Sequence, residues 1–173
     1  LSYAPRVWHA QTGAGAFEML ENRKIDLVIV LMRLSDVDPL SFGKSVRKQY
    51  NNLPVILLAF DESELLQFPE KGLVKNFDKI FIWSGNANVF PAIIKYIEDR
   101  KNIKRDYKIA DIRNIIVVED NPRHYSVILP LIYKIALKHA RELIGQNLPD
   151  VEKLLAFRAR PKIILASSYE EAL

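Results

Sequence analysis

The chain has no cysteine among its 173 residues. Disulfides, thiolate metal sites and cysteine nucleophiles are therefore excluded. It also lacks any apolar run approaching the roughly 20 residues that a membrane-spanning helix needs. The most apolar helical stretch, YSVILPLIYKIAL (125–137), is interrupted by Pro130 and Lys134. Histidine is scarce, and His9, His124 and His139 have no mutual metal spacing, so structural or surface roles are expected of them. A charged-then-apolar leader is missing and the first residue is Leu1. The expectation is a fragment of a longer cytoplasmic polypeptide, neither secreted nor membrane-bound.

Charge of one sign is not concentrated either. The formal net charge is +4, spread over the chain, with one denser run, KYIEDRKNIKRDYK (95–108). That run mixes in acids and offers few planar groups for stacking on bases. It reads as a solvated helix end and linker, and no nucleic-acid partner is expected.

What is present is a regular alternation. RVWHA (6–10), DLVIVLM (26–32), PVILLAF (54–60) and KIFIWS (79–84) are short apolar runs, each followed by a helical pattern. Strands apolar on both faces and alternating with helices indicate a parallel sheet covered on both sides. The fold class is therefore α/β with a doubly wound parallel sheet. Local signals mark the helix starts. Asp38 before Pro39 reads as an N-cap with proline in the first turn. Asp61 and Glu64 suit a capping-box variant, and Asn88 suits a cap ahead of the helix containing Pro91. Trp8 and Trp83 are expected in strands, in or near the core. Gly13 and Gly15 superficially suggest phosphate binding, but the GxGxxG spacing and its later acid are missing, so a tight turn is expected.

KRDYKIADIR (104–113) lacks a strong period and reads as a linker. After it IIVV (115–118) restarts the strand pattern, followed by a long helix from about Arg123 to Ile144. GQNLPD (145–150) breaks that helix, VEKLLAFRAR (151–160) forms a short one, and PKIILASSYEEAL (161–173) is a strand entering a helix. The tail resembles RVWHAQTGAGAFEML (6–20) in layout, a weak internal repeat.

IRNIIVVEDNP (112–122), an apolar strand running into two acids and a proline, resembles the opening of a response-regulator receiver domain. Residues 6–105 resemble the rest of an earlier receiver, from its second strand to its last helix. The resemblance implies a flavodoxin-like receiver fold in three parts: a pseudo-receiver at 1–105 lacking its first strand and helix, a linker at 106–114, and the start of a second receiver-like unit at 115–173. Against the family's pattern, Leu31 stands where the phospho-accepting aspartate belongs. Ala59 stands for the hydroxyl residue and Ser84, with Gly85, for the lysine and proline. Aspartyl phosphorylation needs a carboxylate nucleophile, a divalent cation and fixed donors at the phosphoryl oxygens, so this unit is expected to be non-catalytic. Asp36 and Asp38 lie past the strand end, where loop and cap roles are expected. In the second unit Glu119 and Asp120 match the acidic pair that binds magnesium in receivers, at a strand's carboxyl end.

The receiver's strand order is 2-1-3-4-5. Strand 115–118 is therefore expected to fill the missing central place, between 6–10 and 26–32, in cis or from a second molecule. The functional expectation is a non-catalytic regulatory module in two-component signal transduction, acting by contact with proteins or with other domains of its own polypeptide; a homodimer is one option. The alternatives are the regulatory front of a larger enzyme, a histidine kinase or a phosphoenolpyruvate synthase-like protein, and a flavodoxin-like small-ligand binder.

Overall fold

A computed structural model of the chain describes residues 5–109, 113–143, 149 and 160–172. The chain divides into two compact units, with the division between Asn86 and Ala87.

The first unit contains α1 (Gly13–Asn22), β1 (Val28–Leu31), α2 (Pro39–Gln49), β2 (Val55–Ala59), a 3-10 turn (Glu62–Glu64), α3 (Glu70–Asn76) and β3 (Lys79–Ile82). Its three strands form a parallel sheet in the order β1-β2-β3, with Val28 opposite Val55 and Ile56 opposite Lys79. The central strand is buried along its whole length, as the unbroken apolar run VILLA requires. Val55, Leu57 and Ala59 share one face and pack with Phe42 and Val46 of α2, Leu73 of α3 and Phe77. Burying each large aliphatic side chain contributes about 1.5–3 kcal/mol. Gly43 lets α2 approach the segment after α3, because a Cβ there would lie 2.9 Å from the Phe77 ring. Asp78 fastens the start of β2: its carboxylate accepts from the Val55 amide at 2.8 Å and pairs with Arg47 at 2.6 Å.

The helix starts follow the sequence reading. Asp38 caps α2 by accepting from the Ser41 amide at 2.9 Å, with Pro39 in the first turn. Asp61 accepts from the Ser63 amide at 2.7 Å, while Glu64 reaches the Phe60 amide at 2.9 Å, one residue earlier than a capping box would place it.

RVWHA (6–10) is not a strand. Residues 5–9 are exposed non-helical, non-strand chain, Val7 84% and Trp8 47% exposed. In the 2-1-3 order this segment would need a first strand beside it, and none of the described residues offers its ladder a partner. Trp8 is therefore outside the core, with the Arg23 guanidinium 3.6 Å above its ring.

The second unit contains α4 (Val89–Ile109), β4 (Asn114–Val118), α5 (Pro122–Leu143), β5 (Lys162–Ala166) and the short α6 (Tyr169–Ala172). β4 and β5 pair in parallel from Asn114 opposite Lys162 to Val118 opposite Ala166. Among the described residues β4 pairs with β5 alone. Within one chain, 115–118 therefore does not take the expected place between 6–10 and 26–32 among the described residues. Further backbone bonds lengthen the β4–β5 ladder at both ends, from Lys162 to Arg113 at 3.1 Å and from Glu119 to Ala166 at 2.9 Å. α4 stays helical to Ile109, so the first residues of the 106–114 segment read as a linker are its last turn. It packs on α5 and β5. The contact division thus falls earlier in the chain than 105, because α4 is held by the second unit. The expected break at 145–150 and helix at 151–160 lie, apart from residues 149 and 160, outside the described residues.

A buried cluster of charges explains that hold. Asp99 of α4 receives both guanidinium nitrogens of Arg160 at 2.6 and 3.0 Å, the Tyr133 hydroxyl at 3.3 Å and the Ile163 amide at 3.1 Å. Two turns further on, Asp106 pairs with Lys162 at 2.8 Å. All four charged residues are buried. The run 95–108 is thus not wholly solvated: two of its acids point inward. Burial pushes the Tyr133 hydroxyl far above its ordinary pKa, helped by the Asp99 charge. Burial alone would raise Asp106, but its Lys162 partner outweighs that and holds the carboxyl below its ordinary value.

Candidate functional site

In an open parallel sheet, ligand chemistry collects at the carboxyl ends of the strands. In the first unit Leu31 closes β1 and is 37% exposed, Ala59 closes β2 and is fully buried, and Ser84 lies exposed just past β3. The next residue, Gly85, turns the chain with φ +86°, a conformation that favours glycine. The three positions thus lie at the same sheet edge, and none carries a carboxylate or a cation.

The nearby acids are already engaged. Asp36 accepts from the Gly13 amide at 2.8 Å and the Ala14 amide at 3.1 Å, bonds that lower its pKa. Asp38 is lowered by its bonds to Ser41. Neither is placed as a substitute nucleophile. The expected tight turn is not formed: Gly13 and Gly15 lie in the first turn of α1, whose first amides are capped by Asp36, and the Gly15 amide by Thr12 at 3.0 Å. The positive end of this helix carries the chain's own carboxylate in the position a phosphate would take.

What does occupy this edge is aromatic. Phe60 directly follows β2 and Trp83 directly follows β3, with ring centroids 5.4 Å apart and planes tilted by 41°. Phe60 is 45% exposed. The pair is held by backbone: the Trp83 amide donates to the Ala59 carbonyl at 2.8 Å, and the Phe60 amide to Glu64. Glu64 in turn meets Arg33, which is extended into solvent, at 3.6 Å. Sequence reasoning placed Trp83 in or near the core and gave Phe60 no role. The available signal was a bulky aromatic at a strand end, entering the acidic loop DESE.

In the second unit Glu119 and Asp120 follow β4 directly. Glu119 accepts from the Asn121 amide at 3.0 Å and lies 3.4 Å from His124 Nδ1. The Asn121 bond, then His124, keep its carboxyl below the ordinary value. Asp120 is exposed. Asn121 accepts from the Arg123 amide at 2.8 Å and so starts α5, with Pro122 in the first turn. Ser167 and Ser168 follow the neighbouring β5, where the Ser167 amide donates to Glu171 at 2.6 Å and the Glu171 amide to the Ser168 hydroxyl at 3.2 Å. Among the described residues no three His, Asp or Glu side chains converge as a metal-binding group. Magnesium keeps several waters and takes one or two carboxylates, so the Glu119–Asp120 pair fits it as a partial ligand set. No helix among the described residues is long and apolar enough to cross a membrane.

No family model and no curated protein matches this chain.

Proposed function

We propose that the chain is a non-catalytic, receiver-like regulatory module of a cytoplasmic signalling protein, and that its first unit works by protein contact in place of aspartyl phosphorylation. The observation that carries this reading is the carboxyl edge of β1-β2-β3. Leu31, Ala59 and Ser84 are the residues that match the family's three phosphoryl-handling positions, the neighbouring acids serve as helix caps, and exposed Phe60 on half-buried Trp83 takes the rim.

The strand adjacencies favour a flavodoxin-like origin. In the order 2-1-3-4-5 the third, fourth and fifth strands lie side by side, and so do the first and second. β1-β2-β3 and β4-β5 have these two adjacencies, all parallel. In the second unit Glu119 and Asp120 would hold a magnesium ion, as the matching acids do in the receivers they resemble. The ion would supply positive charge beside a phosphoryl group; Asp120 faces solvent to meet it, and Glu119 is kept ionised by Asn121 and His124.

Intact mass after incubation with acetyl phosphate and magnesium tests the first part. The expected spectrum shows no phosphoryl group on residues 26–40. A stoichiometric adduct mapped to that segment would overturn the reading.

A further inference from the structure

Two exposed apolar surfaces of this chain have borders of opposite charge. One is the rim of exposed Phe60 on half-buried Trp83, where Phe60 is followed by Asp61, Glu62 and Glu64, with Arg33 as the cation beside them. The other is the outward face of α5. Val127, Ile128, Leu131 and Ile135 recur at helical spacing there, 37–69% exposed, while Tyr125, Leu129 and Tyr133 face inward and are buried. Its border is basic: Arg123, Lys134 and Lys138 are exposed, with Glu142 3.8 Å from Lys138.

Single exposed apolar residues are ordinary, but a contiguous stripe marks an interaction surface. The opposed borders select what covers it. Two rims face to face would bring their acids together, and like charges brought together act against that pairing. Rim against stripe brings opposite charges together, which steers encounter and sets register.

We infer that the acid-bordered Phe60–Trp83 rim of one copy receives the base-bordered α5 stripe of a second copy. This rests on the reading of the first unit as a contact module, and it names that module's partner. The rim is suited to the task because the Phe60 and Trp83 rings pack against each other at 5.4 Å and so restrain one another before contact, which limits the side-chain freedom lost on binding. Because the two surfaces differ, the contact is head-to-tail. It repeats from copy to copy into chains or a ring and does not stop at a two-fold dimer.

Sedimentation velocity on the full chain tests this. The weight-average mass is expected to rise with protein concentration and to fall back at high salt. Phe60→Ser with Glu62→Lys removes the rim, and Leu131→Glu with Ile135→Glu removes the stripe. Each variant alone is expected to stay monomeric, with an unchanged circular dichroism spectrum. A mixture of the two retains one intact rim and one intact stripe, and is expected to form a pair that grows no further. A wild-type chain that stays monomeric at every concentration overturns the inference, as does association that survives both sets of substitutions, or a mixture that fails to pair. None of these outcomes bears on phosphorylation, so the functional reading stands or falls separately.

Discussion

At the carboxyl edge of the three-stranded sheet, β1 and β2 end in Leu31 and Ala59, and Phe60 and Trp83 take the rim. At the same edge of the two-stranded sheet, β4 and β5 end in Val118 and Ala166, and Glu119, Asp120 and Ser167 follow. Both interiors are largely apolar, around β2 in the first unit and around Ile93, Leu129 and Ile163 in the second, but the second also buries Asp99, Arg160, Lys162 and Asp106. One unit carries aromatics at its edge and an apolar interior; the other carries acids at its edge and charge inside. Burying ions brings no assured gain in stability, but removing one partner leaves an uncompensated charge. The two interiors should therefore respond to substitution differently.

Asp99→Asn should be the most damaging change. It keeps the side chain's shape and leaves Arg160 without its bidentate partner, for a loss of about 3–5 kcal/mol. Hydrogen exchange locates the effect: amides of β5 lose protection while those of β2 keep theirs. Equal loss in both strands would erase the contrast. Gly43→Ala probes the apolar unit. Overpacking against Phe77 costs about 1–3 kcal/mol, and the better helix former returns up to about 1 kcal/mol. A net loss of about 1 kcal/mol in urea denaturation is expected, and a more stable variant would show that the Phe77 ring yields. Asp120→Ala should have the smallest effect on folding. Its measure is magnesium affinity, followed by the amide shifts of Asn121 and Ala166, and the expected weakening is about tenfold, or 1.4 kcal/mol. Equal affinity in both proteins would remove the metal assignment.

The elements with a strong local cause were legible in the sequence. β2, β3, α2 with its Asp38 cap, α5 and β5 follow from unbroken apolar runs and helical spacing. The segment 6–10 was misread because a strand depends on a neighbour that composition does not reveal. The inward turn of Asp99 and Asp106 was hidden for a similar reason: their partners Arg160 and Lys162 lie more than 50 residues away in sequence, and a charged run in isolation resembles a solvated face. At the edge of the first unit, the apolar ends of β1 and β2 at Leu31 and Ala59 were readable residue by residue. The pairing of Phe60 with Trp83 required knowing that β2 and β3 are neighbours.

Both tryptophans, Trp8 and Trp83, lie in the first unit. One is beneath a guanidinium and the other beside a phenyl ring. Emission excited at the red edge of the absorption band therefore reports on residues before Ala87 and is silent about the rest, where the aromatic light absorbers are tyrosine and phenylalanine. A melting curve read at that wavelength describes half of the molecule. Its divergence from far-ultraviolet dichroism, which sees α4 and α5 as well, gives a label-free measure of how closely the two units unfold together.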